Sequence, residues 1–550
     1  MIPRELTPPV RAREAFSAWQ ADLSTNALDA DVHFLHLLDR YGRRAASPGL
    51  RAFGALVSTK LDTMARTTNR DENLPRLRRF DGLGNRVEAI TFHPDYHAMG
   101  RDVYATGLVG LYDKPGREFE TLSFVYLLGQ DGEAGHACPL ACTAGLAKIL
   151  RETLDDPPPL AGSGGLSHDR ARTWLDRVYD PNYDDHFHGA QFLTEVQGGS
   201  DVGTNALSAQ LDRDRWRLTG EKWFCSVADA QLFVVTARPE AAGPGTQGLA
   251  AFVVPRHLDD GSVNHFELRR LKDKFGTRSM ASAEIDFRGA EAWRVGDFRR
   301  TVEVVLNTSR LYNAVVAAGV LQRAWREADS YARVRAAFGS PIREFPVVRR
   351  ILARLYTEAC AARASSFYLA DLADSIATGE ASPTALGAWR MLVNLNKMWT
   401  ALTCPAGVRD AIEVLGGNGA IEEFSVLPRL LRDSIVVEAW EGGHGVLCAQ
   451  LLRDSQRLRL HDAMFTWLER SIPQDRVAPM RDRWESVIAR PDAPWVFRDL
   501  VDHLRVEVQA ALLAGEGNAK SSAAGDHLLA SRRDPMGDSD MIRRVGVLLG

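Results

Sequence analysis

The hydrophobic period of this chain changes twice, and that succession limits the fold more than any single motif does. Up to residue 185, apolar residues recur at helical spacing, as in Phe34-Leu35-Leu37-Leu38, Leu122-Phe124-Val125-Leu127-Leu128 and Leu140-Leu146-Leu150. The run Asp155-Asp156-Pro157-Pro158-Pro159 ends the last of these, because proline cannot continue a helix. Ala161-Gly162-Ser163-Gly164-Gly165 then reads as a flexible loop. Around residue 190 short strand-like pieces take over, at Gln231–Ala237, Leu249–Val254 and Ser282–Phe287. Trp216 and Leu218 alternate with arginines after Asp212-Arg213-Asp214, which reads as a hairpin tip. Glycines and prolines punctuate these pieces, so a small antiparallel barrel or sandwich is expected.

Near residue 297 the helical period returns. Val302, Val305 and Leu306 lead into Leu311, Val315 and Val316. Val347-Val348-Ile351-Leu352-Leu355 and Trp389-Leu392-Val393-Leu395-Met398 follow. Thr378–Pro383 separates two such helices, which predicts a helical bundle. The last hundred residues are mostly helical and end in an Arg/Asp-rich tail. No internal repeat or long low-complexity tract interrupts the pattern. The expected fold class is therefore α+β, mainly α. A helical domain spans 1–185, a β domain 186–296, a helical bundle 297–455 and an additional helical region 456–550.

At 550 residues the chain is too long for one core, and its 45% hydrophobic and 25% charged residues are ordinary globular usage. A formal net charge of -4 supplies no overall pull toward nucleic acid or an anionic membrane. Six cysteines (Cys138, Cys142, Cys225, Cys360, Cys404, Cys448) suit a reducing cytosol better than a disulfide scaffold. The start lacks an apolar signal region, and no uncharged apolar run reaches about 18 residues. A cytoplasmic protein without a membrane span is expected.

Four stretches carry candidate chemistry, each beside a plainer reading. In Phe192-Leu193-Thr194-Glu195-Val196-Gln197-Gly198-Gly199-Ser200-Asp201, paired glycines let backbone amides approach a phosphate or a planar ring; alternatively this is a glycine turn before a strand. In Gly220-Glu221-Lys222-Trp223-Phe224-Cys225-Ser226, an aromatic residue two positions before a hydroxyl suits a flat cofactor; alternatively the aromatics are core. Arg335-Ala336-Ala337-Phe338-Gly339, read as late in a helix, offers a pyrophosphate clamp beside an aromatic, or a surface arginine before a glycine stop. Leu415-Gly416-Gly417-Asn418-Gly419 goes with Glu438-Ala439-Trp440-Glu441-Gly442-Gly443. There Glu441, flanked by tryptophan and glycines, is a candidate base whose apolar setting should raise its pKa, or a capping acid at a helix boundary.

In order and spacing, these motifs together resemble the acyl-CoA dehydrogenase superfamily over residues 90–455. The resemblance is closest to its AidB branch, through Arg79-Phe80-Asp81 to Phe92-His93-Pro94, Cys138-Pro139, Lys272-Asp273-Lys274 and Trp440-Glu441-Gly442. It implies a helical N-terminal domain, a middle β-barrel, a C-terminal four-helix bundle, FAD and a homotetramer. It implies that Leu193 and Thr194 meet the flavin, Thr194 at its pyrimidine edge, and that Ser200 lies by the phosphates. Phe224 stands in for a tryptophan packed on the flavin. Cys225 neighbours the flavin, and Ser226 replaces a threonine near N5 and O4. Arg335 and Phe338 reach FAD across a subunit contact, joined by Gly416, Gly417 and Gly443. Glu441 takes the place of the base that removes an acyl thioester's α-proton, with Arg310 in an electrostatic role nearby.

The chain departs from the family pattern in several places. Val196-Gln197 replaces a proline, Gly443-His444 follows Glu441-Gly442, and Pro346 replaces a glutamine. His444 reads as a structural or solvent-facing residue rather than a new active group. Cys138 and Cys142 lack convincing further ligands, so no metal is expected. The leading function is dehydrogenation of an acyl-CoA or related acyl substrate. One alternative is an AidB-like, DNA-associated role in alkylation protection. Residues 451–550 hold 15 Lys and Arg against 15 Asp and Glu, and Asp534, Asp538 and Asp540 lie between Arg532-Arg533 and Arg543-Arg544, so no basic face is evident. The other alternative is a flavin oxygenase or oxidase of specialised metabolism, with which Gly443-His444 and Cys225 are compatible.

Overall fold

Proline and capping chemistry set many of the boundaries in the computed structural model, which describes residues 8–157, 159–160, 162–533 and 540–550. Pro158, Ala161, Asp534 and Asp538, used above, lie outside the described residues. The chain divides into two units. One comprises residues 64–117 and 134–312; the other comprises the chain up to Thr63, Glu118–Glu133 and the chain from Asn313 onward.

The first unit is built around a β-barrel. Its strands are β3 (Gly189–Phe192), β4 (Ser208–Asp212), β5 (Arg215–Ser226), β6 (Leu232–Pro239), β7 (Ala250–Pro255), β8 (Phe266–Leu271) and β9 (Ser282–Val295), while β1 (Arg76–Phe80) and β2 (Arg86–Thr91) precede them as a separate hairpin. The order β6-β4-β5-β9-β7 closes because β6 also pairs with β7; β3 attaches to β6, and β8 to β9. Most pairs are antiparallel as expected, but β6 runs parallel to both β3 and β4. The Arg213-Asp214 tip joins β4 to β5, with Arg213 at φ 60.

The hairpin β1–β2 sits where the sequence reading expects only helix. Its turn is held by Asp81, whose carboxylate accepts from Leu83 N, Asn85 N and Asn85 Nδ2 at 2.8, 2.8 and 3.0 Å. His93 caps the following helix Pro94–Tyr104, its Nδ1 accepting from Asp95 N. Two of the AidB-like stretches are thus a turn and a cap.

The other unit is helical. Pro346 opens the helix Pro346–Ala377 at a position where no intrahelical N–H is needed, so proline is tolerated there. The loop ending at Ser382 leads into Pro383–Leu415, as the sequence indicates. The helix Phe298–Val334 has an 18-residue window with mean hydropathy 1.3, yet 89% of that window is buried within the protein. By length and composition it passes for a membrane span, but it is packed as a core helix.

One polar cluster lies deep in this unit. Arg363, fully buried, donates from Nη1 to Asp31, Tyr126 and Gln322 at 2.7, 2.8 and 2.6 Å. Its Nε–H donates to His33 Nδ1 at 3.0 Å, so the imidazole proton sits on Nε2 and is donated to Glu516 Oε2 at 2.9 Å. Glu516 is thereby tied to the core.

Candidate functional site

In the barrel unit the segment after β3 is pinned from several sides. Lys222 on β5 is buried, and its Nζ donates to Glu195 Oε1 at 2.7 Å, Leu193 O at 3.2 Å and Thr236 Oγ1 at 3.2 Å. Glu195 also accepts from Ala206 N, Leu207 N and Gln197 Nε2. Burial pushes its carboxyl up, but Lys222 and these donors outweigh that and hold it below the usual range. Burial likewise lowers Lys222, to about 8, against the pull of Glu195. Asn205 Nδ2 adds a bond to Leu193 O, and Trp223 N donates to Thr194 O. Leu193 and Thr194 are half-buried, while Ser200 is exposed. A Cβ on Gly199 would stand 3.1 Å from Thr194 Cγ2 and Oγ1, so a larger residue there would have to displace the Thr194 side chain.

On β5 the inward residues are Trp216, Leu218, Lys222 and then Cys225. The even spacing breaks because the register against β9 shifts between Lys222 and Cys225. This bulge turns Phe224 outward, 41% exposed, and leaves the Cys225 thiol fully buried. Burial also pushes that thiol far above its usual range, so it offers no thiolate for chemistry. Ser226 Oγ lies 3.1 Å from Ser282 Oγ. Lys272 Nζ stands 3.7 Å from the centre of the Trp223 ring and 5.4 Å from that of Phe224, while bonding Glu284 at 2.8 Å. Lys274 donates to Met280 O at 2.7 Å. Arg310 is buried in a polar run with Asn307, Thr308 and Ser309 on Phe298–Val334, and Gln191 Nε2 donates to Ser309 Oγ at 2.8 Å. Cys138 and Cys142 are buried free thiols at the start of the helix Ala137–Asp155.

In the helical unit Glu441 occupies a four-residue link between the helices Leu427–Ala439 and His444–Leu458. Its φ of 56 is left-handed, a conformation that costs a non-glycine residue about 1–2 kcal/mol and persists only where neighbours impose it. The buried Lys397, on Pro383–Leu415, provides that restraint. Its Nζ donates to Glu438 O at 2.8 Å and to Gly442 O at 2.9 Å, two residues before and one after the Trp440-Glu441 pair. Asn313 Nδ2 adds a 2.7 Å bond to Val437 O. Glu438 is raised by burial, partly offset by Lys397, Arg498 and Arg409. His444 is buried rather than solvent-facing; burial, then Lys397 and Arg498, lower it to about 4, so it is neutral near pH 7.

Arg335 and Phe338 do not sit in a helix. The helix ends at Val334, and β10 (Ala336–Ala337) and β11 (Ser340–Pro341) form a hairpin tipped by Phe338 and Gly339, both at positive φ. A left-handed glycine after phenylalanine favours a tight turn over a helix end, and Phe338 is fully exposed. Gly416, φ 61, caps Pro383–Leu415; open space surrounds the Cβ positions of Gly416, Gly417 and Gly443.

Sequence reasoning quoted Lys222 and Glu195 without assigning either a role, and it passed over Lys397. A lysine in a strand or helix carries no signal of burial; only the carbonyls and carboxylate around it reveal the anchor. Among the described residues His461, Asp462 and Glu485 bring donor atoms within 4.8 Å of one another, but Arg459 already pairs with both carboxylates.

Three family models match in succession: the AidB N-terminal domain over residues 20–185, the acyl-CoA dehydrogenase middle domain over 190–290 and the acyl-CoA dehydrogenase C-terminal domain over 298–455. The AidB protein of Escherichia coli (strain K12) is 32% identical over 400 residues, 69% of each chain. The solved ACDH-11 of Caenorhabditis elegans, in complex with C11-CoA, superposes with a TM-score of 0.80 at 24% identity, covering 91% of this chain and 90% of that one. An apo-form structure of Bd2924 gives a TM-score of 0.81 at 25% identity, covering 90% and 98%.

Proposed function

We propose, for a chain that belongs to the AidB-like branch of the acyl-CoA dehydrogenase superfamily and is an FAD-dependent oxidoreductase, that Glu441 removes the α-proton of a medium-length acyl-CoA. The observation that carries this reading is the restraint of Glu441 in a left-handed conformation by a buried lysine. Such strain is kept where a carboxylate has to be aimed.

The barrel residues fit a flavin. The bulge presents the Phe224 ring, Ser226 carries a hydroxyl two residues on, and Gly199 leaves backbone and Thr194 close together. Leu193, Thr194, Ser200, Phe224, Ser226 and the backbone of Cys225 would hold it. Arg335, Phe338, Gly416, Gly417 and Gly443 would contact it in a homotetramer, and the exposed Phe338 ring supports a subunit contact. FAD, when bound, supplies the hydride acceptor. Glu441 takes the α-proton, hydrogen bonds to the thioester carbonyl stabilise the developing enolate, and Arg310 contributes a positive field. The C11-CoA bound by ACDH-11 supports an acyl chain of that length as the first to test. Six free, buried cysteines support a cytoplasmic setting. The C-terminal arginines Arg459, Arg481, Arg490 and Arg543 pair with nearby carboxylates, which favours this reading over a DNA-binding surface.

The test is anaerobic bleaching of the flavin by a series of acyl-CoAs centred on undecanoyl-CoA, followed by admission of oxygen. Bleaching that Glu441→Gln abolishes, with the enoyl-CoA as product, is expected. Bleaching by no thioester, or an oxygenated product, overturns it.

A further inference from the structure

A cleft of about 290 Å³ lies wholly within the helical unit. It draws on the helices Val32–Arg40, Pro346–Ala377, Leu460–Leu468 and Ala493–Ala514, so part of its wall comes from beyond the last matched segment. None of its lining belongs to the flavin or Glu441 residues.

Three buried polar atoms on its wall have no hydrogen-bond partner: Tyr368 OH, Trp467 Nε1 and Glu516 Oε1. Trp467 is 9% exposed and Glu516 6%. The Tyr368 hydroxyl stands near Ser471 and the indole, but neither it nor the indole N–H completes a bond of ordinary geometry. Glu516 is fixed through its other oxygen, which accepts from His33 Nε2 at 2.9 Å and Ser521 Oγ at 2.5 Å. Buried polar groups in native proteins are almost always satisfied, and three unsatisfied ones on a single wall point to a ligand.

The charges define its chemistry. Arg40 and Arg470 line the same cleft, and among the described residues no carboxylate engages either guanidinium. Arg470 instead lies over the Trp467 ring, 4.3 Å from its centre. A plain anion would satisfy the arginines and the two donors but meet Glu516. A plain amine would satisfy Glu516 but meet two guanidinium groups. A molecule with both charges answers each of these groups, Asp371 in the same lining being paired with Arg43 at 3.7 Å, and the volume limits it to a small one.

We propose that this cleft binds a small zwitterion of the α-amino acid class, its ammonium on Glu516 Oε1 and its carboxylate on Tyr368, Trp467 and the arginines.

The test uses the flavin-loaded full-length protein and ligand-observed saturation-transfer NMR with the twenty common free α-amino acids at millimolar concentration. Calorimetry then measures those that respond. At least one amino acid is expected to bind, with no change in the flavin spectrum and no displacement by saturating acyl-CoA. Tyr368→Phe and Glu516→Gln should each weaken that binding at least about tenfold, the cost of one charge-assisted hydrogen bond. Because Glu516 also holds His33, Tyr368→Phe is the decisive variant, with circular dichroism confirming its fold. Transfer to no amino acid overturns the proposal, as does binding that Tyr368→Phe leaves intact. Inorganic phosphate or putrescine binding as tightly as any amino acid also overturns it.

Discussion

Replacing Lys397 with methionine keeps the length and apolar stem of the side chain and removes only the ammonium. Two carbonyls, Glu438 O and Gly442 O, then lose a charged donor at 2.8 and 2.9 Å. Leaving two buried acceptors unpaired costs about 1–3 kcal/mol each. The desolvation of a fully buried ammonium is relieved at the same time, so the net loss should be about 2 kcal/mol. The larger consequence falls on Glu441. Its left-handed backbone is uphill by about 1–2 kcal/mol, comparable with the restraint removed, so the link relaxes and the carboxylate moves. A misplacement of about 1 Å lowers a proton-transfer rate by up to about 100-fold. Stopped-flow measurement of anaerobic flavin reduction by undecanoyl-CoA should show the rate constant down about 10–100-fold, with half-saturation little changed. Adding Lys397→Met to Glu441→Gln should slow the reaction no further, because both act through one carboxylate. A Lys397→Met enzyme that reduces at the parent rate, or a double variant slower by the product of the two effects, refutes the anchoring role.

Two further outcomes follow from buried charge. Lys222→Met leaves Glu195 buried without its cation, at a cost of about 3–5 kcal/mol, and leaves Leu193 O held by Asn205 alone; the purified variant should carry markedly less FAD per chain, and adding Glu195→Gln should restore part of it. Full flavin content in the single variant would contradict this. His136 and His186 are buried and lowered to about 4, and burial also holds His188 well below its usual value, so all three are neutral in the folded barrel unit. Their unfolded value is about 6.5, so the unfolded chain binds more protons between those limits. Stability is then fully present above about pH 6.5 and falls as pH drops toward 4, by up to about 3 kcal/mol per histidine. Thermal midpoints that stay level from pH 7 to 5 would show that these rings are not buried neutral.

Periodicity made the helical and barrel segments readable because each buries one face repeatedly. The same reading passed over β1–β2, whose strands Arg76–Phe80 and Arg86–Thr91 carry four arginines and bury little, so no apolar alternation marks them. It also extended the helix through Arg335, because Ala336-Ala337 has helical propensity and the turn depends on Phe338 adopting a positive φ. At the site, glycines and aromatics stood out by type. Lys222, Glu195 and Lys397 did not, since their roles depend on partners distant in sequence. Lys397 meets Gly442 O across 45 residues, and only the assembled helices bring them together.

The bulge on β5 makes the strand's length as consequential as its composition. Deleting one residue between Lys222 and Cys225 would restore strict alternation and keep Cys225 inward, but it would leave one position outside the barrel where Trp223 and Phe224 now stand together. Strict alternation with both residues kept would instead turn Phe224 into the barrel and Cys225 out of it. Exchanging one large aromatic for another at Phe224 leaves that phase intact. Variation in this barrel is therefore open to substitution at the outward Phe224 ring and constrained by the one extra residue that lets both aromatics lie outside the barrel.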